Sequence, residues 1–478
     1  MDLKKLFNRE SRYILRPQAG GFTRQFWEEI AILIHVARWS FLAALVGVLS
    51  GASTAAFLNL LDAGLAHYDT MPMWILYLLP PLGGLITGPL VYYLSPRSAG
   101  PEAVIRDVHR YQGKIPISVP PVKMASSLVS IIAGFSVGKY GPAAHIGAGL
   151  GSFFGWCLDL SDEERKKIVI CGISGGFAAV FGTPIAGALF GVEVLFLGKL
   201  MYEVLYPSFV SGIVASWTAA NLGVTYDFFD WDTPVQAGIS PEELLFYIAA
   251  GVFFGLVSWI LVESIKAFRG IFRSMKIPEP LKPLIGGIVL SGLFMAVNAT
   301  GVDGKAFMGL GMDSIEDSVT GGLIVLGAGA FLMKILFTSI SLGSGASGGI
   351  LTPIFVIGAT SGVLLSKIIP IESALLSQVG ITAVLAACAN TPVSASIMAL
   401  ELFGGSIGWV AALCAVVAYL VVGHRGIFES QILGLRKTEA FASADGYEIG
   451  EGGKLHLSYA TVWKLARARH FIRKLRKR

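Results

Sequence analysis

The sequence is poor in charge: only 14% of its 478 residues are Asp, Glu, Lys or Arg, whereas 54% are hydrophobic, and its mean hydropathy is +0.67. A soluble globular chain has about 25% charged residues. Apolar runs at residues 31–49, 168–197, 244–262 and 409–422 are long enough to enter or span a hydrocarbon core of about 30 Å. They lack the short polar–apolar alternation of a membrane β-barrel. The composition therefore predicts an all-α polytopic membrane protein.

Cysteine and enzyme motifs are also scarce. The four cysteines fall in apolar segments without metal-like spacing, so we interpret them as small buried hydrophobes in a reduced setting and expect no metal site: Cys157, Cys171, Cys388 and Cys414. There is no H-E-x-x-H motif, no paired intramembrane Asp and no Ser/His pair at a plausible spacing. We therefore expect neither an enzyme nor a cofactor. The first 30 residues contain no short apolar core, which argues against a cleaved signal peptide.

Glycine, by contrast, is abundant, with 58 residues. Glycine lets membrane helices approach closely, but here many glycines stand in pairs or beside proline at the ends of apolar runs. That placement favours broken helices and re-entrant segments, which membranes tolerate only where they line a protected cavity.

Basic residues cluster at both ends of the chain. The positive-inside rule places both ends in the cytoplasm, which requires an even number of complete crossings. We expect the basic tail to face the membrane surface rather than a nucleic acid. The residues concerned are Lys4, Lys5, Arg9, Arg12, Arg16 and Arg24 before the first span, and Lys464, Arg467, Arg469, Arg473, Lys474, Arg476, Lys477 and Arg478 at the end.

The chain contains an internal repeat. When Pro142 is set against Pro353, residues 142–151 and 353–362 share the pattern P-x-x-x-I-G-A-x-x-G. In the same register Lys123 matches Lys334, Ser130 matches Ser341, Gly134 matches Gly345, Ser136 matches Ser347 and Gly138 matches Gly349; after a small shift, Gly172 matches Gly380, Thr183-Pro184 matches Thr391-Pro392, and Glu193 matches Glu401. Internal repeats are typical of transporter folds, whose substrate site lies near the midplane between the halves. The pattern leaves parallel and inverted arrangements open, and we favour inverted halves because broken-helix ion sites usually need them.

Both copies place a glycine-rich break before an apolar helix, as G-K-Y-G-P at 138–142 and G-G-I-L-T-P at 348–353. Proline suits the first helical turn, and the N–H groups of a helix start carry partial positive charge that binds anions. Such ends hold an anion without a full charge, so the ion can leave again. A third start of this kind is S-A-G-P-E at 98–102. Together they predict an anion site at the midplane.

These three stretches resemble, in order and spacing, the anion-binding signatures of the CLC family of chloride channels and anion/proton antiporters. The family's pore Tyr aligns with Phe428 in G-I-F-E-S-Q-I-L. The resemblance covers about residues 30–436. It implies two inverted halves with about eighteen helices, a homodimer with one pathway per subunit, and bound halide ions. We expect no CBS-domain pair of the kind that many relatives carry. The anion-binding residues implied are Ser98, Gly138, Lys139, Tyr140, Gly141, Ile350, Leu351, Thr352 and Phe428.

The sequence departs from the family pattern at the positions that move protons. Tyr140 stands where the family has its gating glutamate, and Val194 where the exchangers have their inner proton glutamate. A carboxylate changes charge at accessible pH, whereas a tyrosine with a reference pKa of about 10 does not. We therefore expect passive conduction, along a path that Tyr140 constricts but leaves permanently available. Arg97 replaces the first glycine of the first signature.

Other polar residues in apolar segments leave alternatives open. His145 either titrates near neutral pH or is a satisfied packing residue. Lys123 and Lys334 are costly in a membrane; they either attract anions or pair with Glu193 and Glu401. Arg97 either draws anions to the inner mouth or snorkels to the interface.

The sequence thus predicts three segments and one function. Residues 1–30 form a cytoplasmic N-terminal segment, 31–436 the membrane domain with halves at about 31–222 and 241–436, and 437–478 a basic cytoplasmic tail. The function expected is passive, channel-like or uncoupled transport of chloride or similar small monovalent anions across the cell membrane. The alternative is a secondary anion transporter coupled to protons or another ion through non-standard residues.

Overall fold

The structure is a computed structural model that describes residues 21–68, 70–226, 241–320, 329–439, 441–442, 446–450 and 456–457. The basic residues predicted to hold both ends in the cytoplasm lie outside the described residues or, for Arg24, in the first turn of the first helix. The predicted N-terminal segment and C-terminal tail are therefore described only in part.

Within this part of the chain the fold is helical. The first half contains α1 (Gly21–Leu65), α2 (Met73–Leu94), a 3₁₀ turn (Pro96–Ser98), α3 (Ala103–Arg110), α4 (Val119–Ile132), α5 (Tyr140–Cys157), α6 (Asp162–Phe181), α7 (Pro184–Glu193) and α8 (Tyr202–Asn221). The second half contains α9 (Pro241–Ser274), a 3₁₀ turn (Glu279–Leu281), α10 (Lys282–Ala299), a 3₁₀ turn (Gly304–Phe307), α11 (Met312–Thr320), α12 (Ala330–Ser344), α13 (Leu351–Ser366), α14 (Ser373–Ala389), α15 (Pro392–Phe403) and α16 (Gly405–Val421).

Four two-residue strands complete the description. β1 (Phe196–Leu197) pairs in parallel with β2 (Ile432–Leu433), and β3 (Phe441–Ala442) pairs antiparallel with β4 (His456–Leu457). The first pair joins the segment between α7 and α8 to the segment after α16, which carries Phe428.

Helix lengths agree with the prediction of broken membrane segments. Among the described residues, four helices are long and apolar enough to cross a membrane, at Gln25–Leu65, Met73–Leu94, Glu242–Ser274 and Glu279–Ala299. Seven further apolar helices have only 10–17 residues. A helix of that length rises at most about 26 Å, less than a hydrocarbon core. These short helices end inside the protein, where their polar ends need partners.

The helix ends follow the same rules in both halves. Ser161 begins α6 by accepting a hydrogen bond from the N–H of Glu164, whose carboxylate accepts from Ser161 in turn. α6 ends at Gly182 (φ +68°) and α14 at Asn390 (φ +58°), both left-handed. A Thr-Pro pair follows each of these residues and begins the next helix, because proline fits the first turn.

The residues matched by the sequence repeat make equivalent contacts in the two halves. α5 packs on α6 through Gly147 and Gly172, and α13 packs on α14 through Gly358 and Gly380. A Cβ on Gly147 would lie 2.2 Å from the carbonyl oxygen of Gly172, and one on Gly358 would lie 2.4 Å from that of Gly380. Only glycine permits this approach, so the matched glycines have the same role in each half.

The two halves are inverted. α7 and α15 lie antiparallel, because the start of each contacts the end of the other. The carboxylate of Glu193, at the end of α7, accepts from the N–H groups of Val393 (3.0 Å) and Ser394 (2.8 Å). The carboxylate of Glu401 in α15 accepts from those of Ile185 (2.9 Å) and Ala186 (2.7 Å). Each half therefore caps a helix start of the other.

Candidate anion site

The two glycine-rich breaks meet at the centre of the molecule. Gly138 and Gly349, matched in the repeat, form an antiparallel bridge: the N–H of Gly138 donates to the carbonyl of Gly349 (2.6 Å), and that of Gly349 donates back (2.7 Å). A Cβ on Gly141 would lie 2.7 Å from the Cα of Gly349, so this crossing requires glycine. The starts of α5 and α13 consequently face each other across the bridge.

These facing starts leave backbone donors free. Among the described residues, the N–H groups of Tyr140, Gly141, Ile350 and Leu351 make no hydrogen bond to protein. An unpaired N–H in an apolar interior costs free energy unless a ligand satisfies it. The arrangement therefore suits an anion, which would accept from these donors.

The donors border a small central cavity of about 30 Å³. Three helix starts contribute to it: Val104 and Ile105 of α3, Tyr140 and Gly141 of α5, and Ile350 and Leu351 around the start of α13. Phe428 and Val194 also line it. This volume is enough for one or two water-sized particles. The structure thus brings together segments that lie more than 300 residues apart in the chain.

Tyr140 separates this cavity from an outer one. The outer cavity, of about 100 Å³, is lined by Asp62, Lys139 and Phe181, and Tyr140 lines both cavities. The ring of Tyr140 is 1% exposed and stacks on Phe181, with centroids 3.6 Å apart and planes 15° apart. The sequence led us to expect a narrowed but available path; in the structure the ring is fully packed against its aromatic neighbour.

His145 connects two of the helix starts. Its Nε2 accepts from the N–H of Val104 (3.0 Å), and its Nδ1 lies 3.1 Å from the carbonyl oxygen of Gly141. This pattern requires the proton on Nδ1, which then donates to Gly141. Both nitrogens are used within the protein, so the geometry favours the packing interpretation of His145 over a titrating one. The bond from Val104 also means that this N–H of α3 already has an acceptor within the protein.

Comparison with known proteins identifies the family of the chain. A family model described as "Voltage gated chloride channel" matches residues 83–423. The chain belongs to the CLC family. It is 35% identical to the chloride/fluoride channel protein of Pseudomonas syringae pv. tomato, over 86% of this chain and 90% of the relative. It is 28% identical to the voltage-gated ClC-type chloride channel ClcB of Shigella flexneri, over 76% and 90%.

A solved structure of a CLC-type fluoride/proton antiporter is also similar, with a TM-score of 0.77 and 26% sequence identity, covering 83% of this chain and 98% of that one. The predicted all-α fold with two inverted halves is therefore confirmed as the CLC fold, and the chain is a membrane protein of a family that transports anions.

Of the CLC signature residues, some line the central cavity and others support it. Tyr140, Gly141, Ile350, Leu351 and Phe428 line it. Gly138, Lys139 and Thr352 lie beside it: Gly138 forms the bridge, and Thr352 Oγ1 accepts from the N–H of Lys139 at 3.3 Å. The side chain of Lys139 borders the outer cavity instead.

Ser98 is buried but does not line the central cavity. Its hydroxyl donates to the carbonyl of Ser95 (2.8 Å), and its own carbonyl accepts from Lys123 Nζ (3.3 Å). The hydroxyl would have to rotate to reach an anion, so its anion-binding role stays a prediction.

The pairing of the two buried lysines with glutamates, one of the two alternatives, is wrong. Lys334 is fully buried and donates to the carbonyls of Phe307 (3.2 Å), Met308 (3.5 Å) and Gly309 (3.2 Å). Lys123 contacts Ser98, as described above. Glu193 and Glu401 cap the starts of α15 and α7 instead, because two helix N–H groups satisfy a carboxylate without a buried cation.

Arg97 does not line the central cavity. Its guanidinium donates to Asp107 (3.0 Å) and to the carbonyl of Lys114 (3.1 Å), and lies 3.8 Å above the ring of Tyr111. Neither predicted role of Arg97, attraction or snorkelling, is decided by these contacts.

The sequence interpretation missed Arg269 of α9. This residue is 9% exposed and forms ion pairs with Glu102 (3.3 Å), just before α3, and Glu429 (3.4 Å), next to Phe428. It thereby links the segment before α3, in the first half, to the segment that carries Phe428. An arginine in the last turns of a long apolar helix was a usable signal, because charged residues are rare in membrane helices and usually pair.

Proposed function

We propose that the chain transports chloride or a similar small monovalent anion, such as fluoride, passively along the path through the central cavity. One observation carries the proposal: the described residues that line this cavity include no Asp or Glu. Tyr140 and Val194 occupy the two positions where proton-moving CLC relatives are expected to have glutamates. A central cavity without titratable carboxylates lacks, at the anion site, the groups that would exchange a proton for an anion.

The anion would be held by backbone dipoles alone. The facing starts of α5 and α13 each supply partial positive charge, roughly half an elementary charge per helix start. Phe428 offers a ring edge but no hydroxyl donor. Such a site binds weakly enough for an ion to leave, which suits rapid passage.

Proton-coupled transport is the second candidate, and the likeness to a fluoride/proton antiporter favours it. It would need a proton carrier other than glutamate at the two positions. His145 is a titratable side chain that lines the central cavity, but both its nitrogens already serve bonds to Val104 and Gly141. Carrying a proton would break the bond that α3 donates.

A flux assay in proteoliposomes separates the two candidates. Vesicles loaded with chloride or fluoride are diluted into anion-poor buffer, with valinomycin and potassium to carry the compensating charge. Anion efflux should proceed while external pH stays flat, and an imposed pH gradient should drive no uphill anion uptake. A fixed ratio of protons to anions would reject passive transport. Vesicles without protein measure the background leak of the anion.

We also propose a homodimer in the cell membrane, with one pathway per subunit, both termini cytoplasmic and no cofactor besides the transported halide. Apolar side chains are exposed along α7, α8, α15 and α16, among them Ile185, Ile213, Trp217, Val393 and Leu400. Cross-linking in native membranes tests the dimer, and accessibility labelling of single cysteines near the two ends tests their side.

A further inference from the structure

A cavity of about 400 Å³ lies apart from the anion path, between the segment around Arg97, the loop before α4, the last turns of α5 and the start of α6. It lies beside the first half of α1, because Arg38, 17 residues after the first residue of α1, pairs with Glu164 at the start of α6 (2.6 Å). The outer cavity beside Tyr140 borders Asp62, near the other end of α1. Arg38 and Asp62 are 24 residues apart on α1, which separates the two cavities by about 36 Å along the helix.

This cavity of about 400 Å³, called the interfacial cavity below, is positively charged. Arg97, Lys114 and Arg165 line it. Arg97 pairs with Asp107 and Lys114 with Asp162, whereas Arg165 makes no side-chain hydrogen bond or ion pair within the described residues. Three cations thus face two carboxylates, and one positive charge remains.

Two hydrogen-bond donors without acceptors also indicate that the cavity suits an anion. The Nε atoms of Arg97 and Arg165 are both buried without a hydrogen-bond partner in the described part of the chain. A buried guanidinium N–H without an acceptor costs free energy, and a phosphate oxygen is the acceptor that the guanidinium fork fits best. Gly155 makes room for Arg165, since a Cβ there would lie 3.3 Å from the Cγ of Arg165.

The remaining wall of the cavity is apolar and exposed. Trp156 is 67% exposed and Ile117 65%, and the rings of Phe153 and Trp156 stack with centroids 6.0 Å apart. Tryptophan is enriched at the level of lipid headgroups. A soluble anion would gain nothing from this wall, whereas an acyl chain would bury against it.

We propose that this interfacial cavity binds an anionic phospholipid. Its phosphate accepts from Arg165, Arg97 and Lys114, and its acyl chain lies along Ile117, Phe153 and Trp156. Because Arg97 directly precedes Ser98, a bound lipid would contact the segment that leads to the start of α3.

Native mass spectrometry of the purified full chain tests this proposal with phosphatidylglycerol as the probe and phosphatidylcholine as the zwitterionic reference. The wild type should retain phosphatidylglycerol preferentially. Arg165→Gln should weaken retention about fivefold, the value of one basic residue near an anionic lipid surface. Lys166→Gln is the matched control, since Lys166 is the next residue, pairs with Glu163 and does not line the cavity. Trp156→Ala, at an exposed position, should also weaken retention.

Three results would overturn the proposal. The first is equal retention of phosphatidylglycerol by the wild type and Arg165→Gln. The second is equal retention of the two lipids by the wild type. The third is displacement of phosphatidylglycerol by millimolar glycerol phosphate together with no effect of Trp156→Ala, which would assign the cavity to soluble phosphates. Arg165→Lys, which keeps the charge but loses the Nε donor, should give intermediate retention and guards against a folding defect in Arg165→Gln.

Discussion

Replacing Tyr140 with alanine should raise anion flux strongly, because the packed ring must move before an ion can pass from one cavity to the other. Moving it breaks the stack on Phe181, with centroids 3.6 Å apart, which is worth about 0.5–1.5 kcal/mol. It also exposes a ring that is 1% exposed in the structure, at a cost of about 1.5–3 kcal/mol. The sum, about 2–4.5 kcal/mol, corresponds to roughly 30- to 2,000-fold in rate.

The assay is single-vesicle or bulk chloride efflux at known protein density, so that flux per protein is measured. Tyr140→Phe is the matched control, because it keeps the ring and the stack. Its flux should stay within about threefold of wild type, which is less than the rate change expected from the loss of one typical hydrogen bond. Phe181→Ala removes the partner ring and should give an intermediate increase. A folded Tyr140→Ala protein with unchanged flux would show that the ring does not limit passage, and the assignment of Tyr140 as the gate would fail.

Three further predictions follow from the same site and its supports. Tyr140→Glu should make flux fall as pH rises, because the ionised carboxylate would occupy the donors at the helix starts, whereas wild-type flux should change little between about pH 5 and 8; a flat profile in Tyr140→Glu would contradict the placement of this side chain. Phe428→Tyr should add one donor and tighten halide binding by about 1 kcal/mol, roughly fivefold, measured by isothermal titration calorimetry with Phe428→Leu as the control; no change in affinity would place the ion away from Phe428. Glu401→Ala should destabilise the protein by about 2–4 kcal/mol, since two charge-assisted bonds to α7 are lost, measured as a lower midpoint of unfolding in detergent; the exposed-loop variant Glu372→Ala should not, and equal midpoints would show that the cap is dispensable.

Most of what could be predicted about the fold from the sequence came from the alignment of the two repeats. Matching Gly138 to Gly349 and Gly147 to Gly358 identified residues that the structure places in equivalent contacts, because only glycine permits such backbone approaches and its positions are therefore strongly constrained. The three helix starts were also predictable, since proline and glycine mark them locally.

Long-range partners were not predictable in the same way. The bond from Val104 to His145, the ion pairs of Arg269 and the stacking of Tyr140 on Phe181 depend on where distant helices pack, which periodicity does not encode. The alternative that paired the lysines with glutamates failed for a related reason. Helix N–H groups and carbonyls compete as partners for buried charges, and residue spacing alone does not show which partner is near.

The reciprocal capping of α7 and α15 has the character of a symmetric dimer contained in one polypeptide. Glu193 caps the start of α15 in the second half, and Glu401 caps the start of α7 in the first half. Gly138 and Gly349 each donate one hydrogen bond to the other. In an isologous contact of this kind a single surface is its own complement. A half-length ancestor with one such glycine and one such glutamate would satisfy every one of these bonds by pairing with an inverted copy of itself. The chain thus preserves, as internal contacts, the interface through which two identical halves could have assembled in opposite orientations before they were joined.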